Sequence, residues 1–122
     1  MTFQTAATTS TDGTTIGYRY AGSGPGLVIC HGGGRISQSY VALAALLAPS
    51  FTVYIPDRRG HGLSGPEGGG YDMHKACQDL IAVLERTGAG YVFGHSAGGL
   101  IALEAALRGP ITKLALYEPP NL

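Results

Sequence analysis

The 122-residue chain has no tryptophan, two cysteines, four histidines and a formal net charge of zero. Each shortage excludes something. Arg58 and Arg59 are the only adjacent basic pair. Nothing here can neutralise a run of phosphates, so nucleic acid is not an expected partner. No apolar run approaches the length needed to span a bilayer, so no membrane partner is expected. The N-terminal stretch MTFQTAATTS lacks a basic segment followed by an apolar one, which argues against a signal peptide. Cys30 and Cys77 lie far apart with no metal-like spacing, and both are read as buried thiols in a reducing, cytoplasmic compartment. Histidines and carboxylates show no paired ligand spacing, so no metal site is expected. The run GSGPG precedes an apolar segment instead of following one, and no Gly-Lys-Ser/Thr follows any glycine run. Dinucleotide and phosphate-loop cofactors are thereby excluded, and no cofactor is expected. The absence with the largest consequence is local: no histidine follows Ser96.

What is present is a core. Hydrophobic residues make up 44% and charged residues 13%, enough to bury one domain and too apolar for disorder. Residues 3–9 and 14–21 read as two strands joined by the turn Thr11-Asp12-Gly13, hence a hairpin. Leu27 to Cys30 is a short continuous apolar run, as in a strand buried on both faces. A helical pattern runs from about Ser39 to Pro49, followed by a strand from Phe51 to Ile55 that Pro56 ends. After the glycine-rich loop DRRGHGLSGPEGGG, Asp72 can cap a helix that presents Ala76, Leu80, Val83, Leu84 and Thr87 on one face and stops at Gly88. Tyr91 to Gly94 is a strand. Ala97 to Arg108 is a helix apolar nearly all round, hence expected to be buried. Lys113 to Tyr117 is a last strand. Alternating strands and helices from Leu27 onward imply right-handed crossovers and an α/β fold, a mostly parallel sheet with flanking helices. Three glycine-rich breaks, at His31, Asp57 and Gly94, follow strands and fall on one rim, where such sheets carry function.

The chemistry concentrates at GHSAGG, Gly94 to Gly99. A strand runs into a helix through Gly94-His95-Ser96-Ala97-Gly98, the arrangement that lifts a serine Oγ clear of a sheet. Small residues at Gly94 and Gly98 let strand and helix approach closely. The bland alternative is a serine that only caps its helix. A second motif, His31-Gly32-Gly33-Gly34, follows the Leu27–Cys30 strand. Its backbone N–H groups, Gly33 first and Gly34 second, together with Ala97 N–H, can cradle an oxyanion. The alternative there is a flexible turn.

LVICHGGG, DRRGHGLSG and GHSAGG, in that order with a crossover helix between successive motifs, resemble the α/β-hydrolase fold family, most closely its esterase and lactonase-type members. The resemblance spans Thr5 to Pro120. It implies a serine hydrolase acting on acyl esters or related small molecules, with Ser96 as nucleophile. His31 and Gly32 would shape the oxyanion loop, His61 would be structural, and Asp57 would tie down its loop through Arg58 or backbone N–H groups. The family order is serine, then acid, then histidine. Residues 1–122 therefore read as the N-terminal part of the domain, truncated after about the sixth strand, without cap or C-terminal part.

Within the chain, His95 is expected to diverge from Ser96 and pack, and His74 to be a solvated surface residue. His31 or His61 would reach Ser96 only in an unusual arrangement. Glu118 follows the last strand on the correct side and is a candidate acid, whereas Glu104 sits mid-helix, away from the rim. With one sheet face covered only by the Tyr40–Leu47 helix, the chain is expected to form a homodimer, to pair with a missing C-terminal half, or to aggregate. Two rivals stand beside the hydrolase reading. One is a non-catalytic small-molecule-binding or interaction module on the same fold. The other is a short enzyme using His61 or His31 as its base.

Overall fold

The computed structural model describes residues 2–67 and 72–120. The far end of the glycine-rich loop, 68–70, and the last two residues of EPPNL lie outside the described residues. Six strands form one sheet. They are β1 (Gln4–Thr9), β2 (Thr15–Gly22), β3 (Gly26–Cys30), β4 (Thr52–Pro56), β5 (Tyr91–His95) and β6 (Lys113–Tyr117). The helices are α1 (Val41–Leu47), entered through a single 3-10 turn at Ser37–Tyr40, α2 (Met73–Thr87) and α3 (Ala97–Ala106).

The strand order is β1-β2-β4-β3-β5-β6. The expected hairpin pairs Gln4 with Tyr20 and Thr9 with Thr15, antiparallel. β2 is also antiparallel to β4, while β4, β3, β5 and β6 run parallel. From β3 the chain steps outward to β4 on one side and returns to β5 on the other. A crevice therefore opens beyond the carboxyl ends of β3 and β5, the usual place for a ligand in such sheets. Pro56 does not end β4 before the ladder closes, since it still pairs with Tyr18. It sits at the strand's last position, beside an antiparallel neighbour, where a missing N–H is tolerated.

Two apolar layers hold the sheet. Beneath α2 and α3, Val28, Cys30 and Val92 from the strands meet Ala76, Cys77, Leu80, Val83, Leu84, Ile101, Ala102 and Ala105. On the opposite face, Ile29, Val53 and Ile55 meet Tyr40 and Ala44. Asp72 caps α2 as expected, accepting from His74 N–H at 2.7 Å, and Gly88 closes the helix with its N–H on the Leu84 carbonyl. Thr87 only half belongs to the buried face. Its hydroxyl turns back to the Val83 carbonyl at 2.8 Å.

α3 departs from expectation twice. It ends at Ala106, two residues early, and it is not buried all round. Leu103 is 44% and Leu107 77% exposed, because only α2 and the sheet pack on it. β6 is likewise open: Lys113, Ala115 and Tyr117 face the α1 side beyond that helix's reach and are exposed.

The loop after β4 is anchored by charge. Arg59 is 4% exposed and reaches Asp79 on α2 with two bonds, Nε to Oδ2 at 2.8 Å and Nη2 to Oδ1 at 2.7 Å. Its Nη1 reaches Asp12 in the β1–β2 turn at 2.8 Å. The guanidinium holds the Asp12 carboxyl well below the usual carboxylate range. Breaking the pair from the arginine side strands the buried Asp79 carboxylate. We expect Arg59→Ala to lose about 3 kcal/mol in urea unfolding. Asp12→Asn, at the exposed end, should lose clearly less. Equal losses would show that Asp79 is not the buried partner that matters.

Candidate active-site rim

Ser96 sits where β5 turns into α3, with φ 55° and ψ −122°. A non-glycine residue there stores strain on the order of 1–3 kcal/mol and persists only where its surroundings hold it. The holding contacts are specific. Ser96 N–H donates to the Tyr117 carbonyl of β6 at 3.0 Å, and its own carbonyl accepts Gly99 N–H at 2.8 Å. Glycines make the turn sterically feasible. A Cβ on Gly94 would lie 2.7 Å from Gly99 Cα, and one on Gly98 would lie 2.6 Å from the His31 carbonyl oxygen. Gly98 thus serves a different contact from the one expected, for it seats the first turn of α3 on the end of β3. The Ser96 side chain makes no capping hydrogen bond, so a helix cap does not account for it.

The loop after β3 lies against this turn. A Cβ on Gly32 would meet the His95 carbonyl and Ser96 Cβ, both at 3.3 Å. Gly32 N–H is taken by the Tyr40 hydroxyl at 2.9 Å. Gly33 and Gly34 are exposed, and no atom lies within 4 Å of a Cβ built on either. Gly34 has φ 72° and turns the loop back, so that Arg35 N–H reaches the Gly32 carbonyl at 3.3 Å. Among the described residues Gly33 N–H has no acceptor, and Ala97 N–H, the first of α3, has none within its helix. Among the described residues one free donor therefore directly follows Ser96 in the chain, and the other lies in the β3 loop whose Gly32 packs against the Ser96 turn.

The four histidines are all accounted for, and none bonds to Ser96 among the described residues. His31 is 3% exposed. Its Nε2 accepts Arg58 N–H at 3.0 Å, so its Nδ1 carries the proton and donates to the Gly32 carbonyl at 2.9 Å. Burial is the main cause that lowers its pKa. His61 is exposed, with its Nδ1 on the Arg59 carbonyl at 3.0 Å and its ring 6.1 Å from that of His31. His74 is exposed near the start of α2, 3.5 Å from an Arg108 nitrogen. His95 does diverge from Ser96, but it is more than packing, since its Nδ1 lies 2.7 Å from the Tyr40 hydroxyl.

Asp57 is tied down as expected by backbone N–H groups but not by Arg58. Its carboxylate accepts Ser37 N–H at 2.5 Å, Ser37 Oγ at 2.8 Å and Leu63 N–H at 2.9 Å. Arg58 instead donates to the His31 carbonyl at 2.6 Å. Asp57 therefore staples the loop after β4 to the 3-10 turn, and Arg58 staples it to the loop after β3. Glu118, directly after β6, is exposed and has φ 50°. Glu104 faces Arg108 along α3 at 3.8 Å. Cys30 is no rival nucleophile, because burial pushes its thiol up to about 12. Sequence reasoning missed Tyr40, Ser37 and Asp79. Tyr40 and Asp79 look like ordinary helix positions, and Ser37 like a loop serine, until the fold brings them to the rim loops. No group of three or more His, Cys, Asp or Glu able to hold a metal occurs among the described residues. No described helix is long and apolar enough to cross a membrane.

Residues 25–120 match the family model of the alpha/beta hydrolase fold. The chain belongs to the α/β-hydrolase fold family. It is similar to an uncharacterized hydrolase, YraK, of Bacillus subtilis, with 37% identity over 80% of this chain and 38% of the relative. It is also similar to a non-heme haloperoxidase of Rhodococcus erythropolis, with 38% identity over 75% of this chain and 34% of that protein. An α/β hydrolase from Sphaerobacter thermophilus superposes with a TM-score of 0.88 at 40% identity, over 94% of this chain and 45% of that one. The chain therefore spans less than half the length of these relatives, as a fragment of the fold.

Buried His31 is expected to make stability depend on pH. Its folded pKa is depressed, so the unfolded chain binds the proton more readily. Stability is complete above the unfolded value near 6.5 and falls as pH drops through that value toward the folded one. Urea midpoints should decline from pH 7 to pH 5.5, and this slope should flatten in His31→Gln. An equal slope in the variant would remove His31 as its cause.

Proposed function

We propose that the chain carries the nucleophile and oxyanion half of a serine hydrolase acting on acyl esters or closely related small molecules. The observation that carries this reading is Ser96. It is strained, has no capping role, and stands at the N-terminus of α3 beside a glycine loop in which Gly33 N–H has no partner among the described residues. Ser96 Oγ would attack the acyl carbon as a base takes its proton. Ala97 and Gly33 N–H would receive the developing oxyanion, with Gly34 the second loop candidate. Gly33 suits this role because a side chain there would stand between backbone and substrate.

Both nitrogens of His31 and the Nδ1 atoms of His61 and His95 are engaged away from Ser96. The base is therefore assigned to the part of the fold that this chain does not span. Glu118 is the acid candidate on this chain, adjoining the Tyr117 carbonyl that holds Ser96. The open α1-side face of β6, at Lys113, Ala115 and Tyr117, is proposed to be covered by a second copy or by the remaining part of the fold. Two buried, unpaired thiols, Cys30 and Cys77, support a reducing compartment such as the cytoplasm.

Fluorophosphonate labelling of the protein expressed from its complete reading frame, read by intact mass, tests the nucleophile. One adduct, absent in Ser96→Ala, is the expected result. A folded protein that takes no adduct would overturn the hydrolase reading in favour of a binding module. Light scattering on the 122-residue chain tests the open face. The expected mass exceeds the monomer, and a clean stable monomer would rule out self-association.

A further inference from the structure

The oxyanion loop, whose role rests on the hydrolase reading, is held in place by two side chains. Tyr40, the last residue of the 3-10 turn, is 7% exposed, and its hydroxyl has one proton to give and two lone pairs. One lone pair receives Gly32 N–H at 2.9 Å. The proton then needs an acceptor, and the one within reach among the described residues is His95 Nδ1 at 2.7 Å. His95 Nδ1 is therefore unprotonated, and the ring carries its proton on Nε2.

The ring of His95 is fixed in turn. It stands edge-on to Tyr40, with centroids 5.9 Å apart, and stacks on Tyr117 at 5.4 Å and 28°. Tyr117 is the residue whose carbonyl accepts Ser96 N–H. One chain of contacts thus runs from β6, through the residue preceding Ser96, to the loop that carries Gly33. It also settles which loop amide is available. Gly32 N–H is committed to Tyr40, and the next N–H, that of Gly33, has no partner among the described residues.

We propose that Tyr40 and His95 are positioning residues for the oxyanion hole. They form a hydrogen-bonded strut that fixes the His31–Gly32 peptide, and with it the start of the segment that carries Gly33, relative to Ser96. Neither touches the reacting atoms. The strut withholds the wrong amide and presents the right one, at a spacing set by two hydrogen bonds instead of by a flexible glycine loop.

Three variants test this in the protein expressed from its complete reading frame. Tyr40→Phe keeps the ring and removes only the hydroxyl. His95→Asn keeps an acceptor near the place of Nδ1, and His95→Leu removes it. Amide hydrogen exchange at Gly32 should speed up about tenfold in Tyr40→Phe, the loss of one hydrogen bond. The maximal rate of fluorophosphonate inactivation should fall about tenfold in Tyr40→Phe and His95→Leu, with half-saturating inhibitor concentration unchanged, because an oxyanion donor acts in the transition state. His95→Asn should recover most of that rate. A merely structural strut would not give this split or this rescue. Unchanged Gly32 exchange in Tyr40→Phe would overturn the strut. A wild-type inactivation rate in Tyr40→Phe, or His95→Asn behaving as His95→Leu, would overturn the positioning role alone. No labelling of the unmodified protein would overturn the hydrolase reading and this role with it.

Discussion

The rim depends on one close approach. The first turn of α3 rests on the Cys30 and His31 carbonyls at the end of β3, and only a residue without a Cβ at position 98 allows it. That contact brings the turn after β5 against the loop after β3. With Gly94 equally bare on the strand side, the backbone at Ser96 can be forced to φ 55°. The strain persists because it is held from both sides, by the β6 carbonyl on the Ser96 N–H and by the Gly99 N–H on its carbonyl. An extra methyl at either glycine would push α3 off the sheet and release the turn.

Around this contact the fold adds polar staples to an apolar base. The sheet's two buried layers fix the strands, but the described residues of the loops after β3 and β4 contribute to neither layer and need anchors of another kind. Asp57, Arg58 and Arg59 supply them, each to a different element: the 3-10 turn, the β3 loop, and α2 with the β1–β2 turn. Buried charges tolerate little displacement, because a lost partner leaves a desolvated charge. These staples therefore fix the loops more sharply than glycine-rich chain could fix itself. His31 belongs to the same logic, since its neutral tautomer is imposed by an N–H donor on one nitrogen and a carbonyl on the other.

Charge and hydroxyl chemistry divide the work on the rim. Tyr40 and His95 occupy the side of the loop nearest Ser96, whereas His31 and Arg58 hold its base. Gly33 is left between them, exposed and without a partner among the described residues. The half of the sheet beyond α1, by contrast, has no such furniture. On β6, Lys113, Ala115 and Tyr117 are exposed on that face.

Much of this was legible in the residues alone, and the reason is locality. The Asp72 cap, the Gly88 stop, the hairpin turn and the parallel strands depend on short-range backbone preferences and on hydrophobic period, which neighbouring residues express directly. The Ser96 turn was readable for the same reason, since Gly94, Ser96 and Gly98 lie within one short segment. What failed to show was long-range. Leu103 and Leu107 look as buried as Ile101 until the fold leaves them without a neighbour. Asp57 looked toward the adjacent Arg58, yet tertiary packing brought Ser37 to it and turned Arg58 to His31. Tyr40 and His95 carry no sequence mark of a shared role, for their 2.7 Å hydrogen bond exists only because β3 and β5 are adjacent strands. The sequence by itself determined the elements and the local turn that strains Ser96. The tertiary structure decided which distant polar groups meet, because a hydrogen bond depends on position in space and not on separation along the chain.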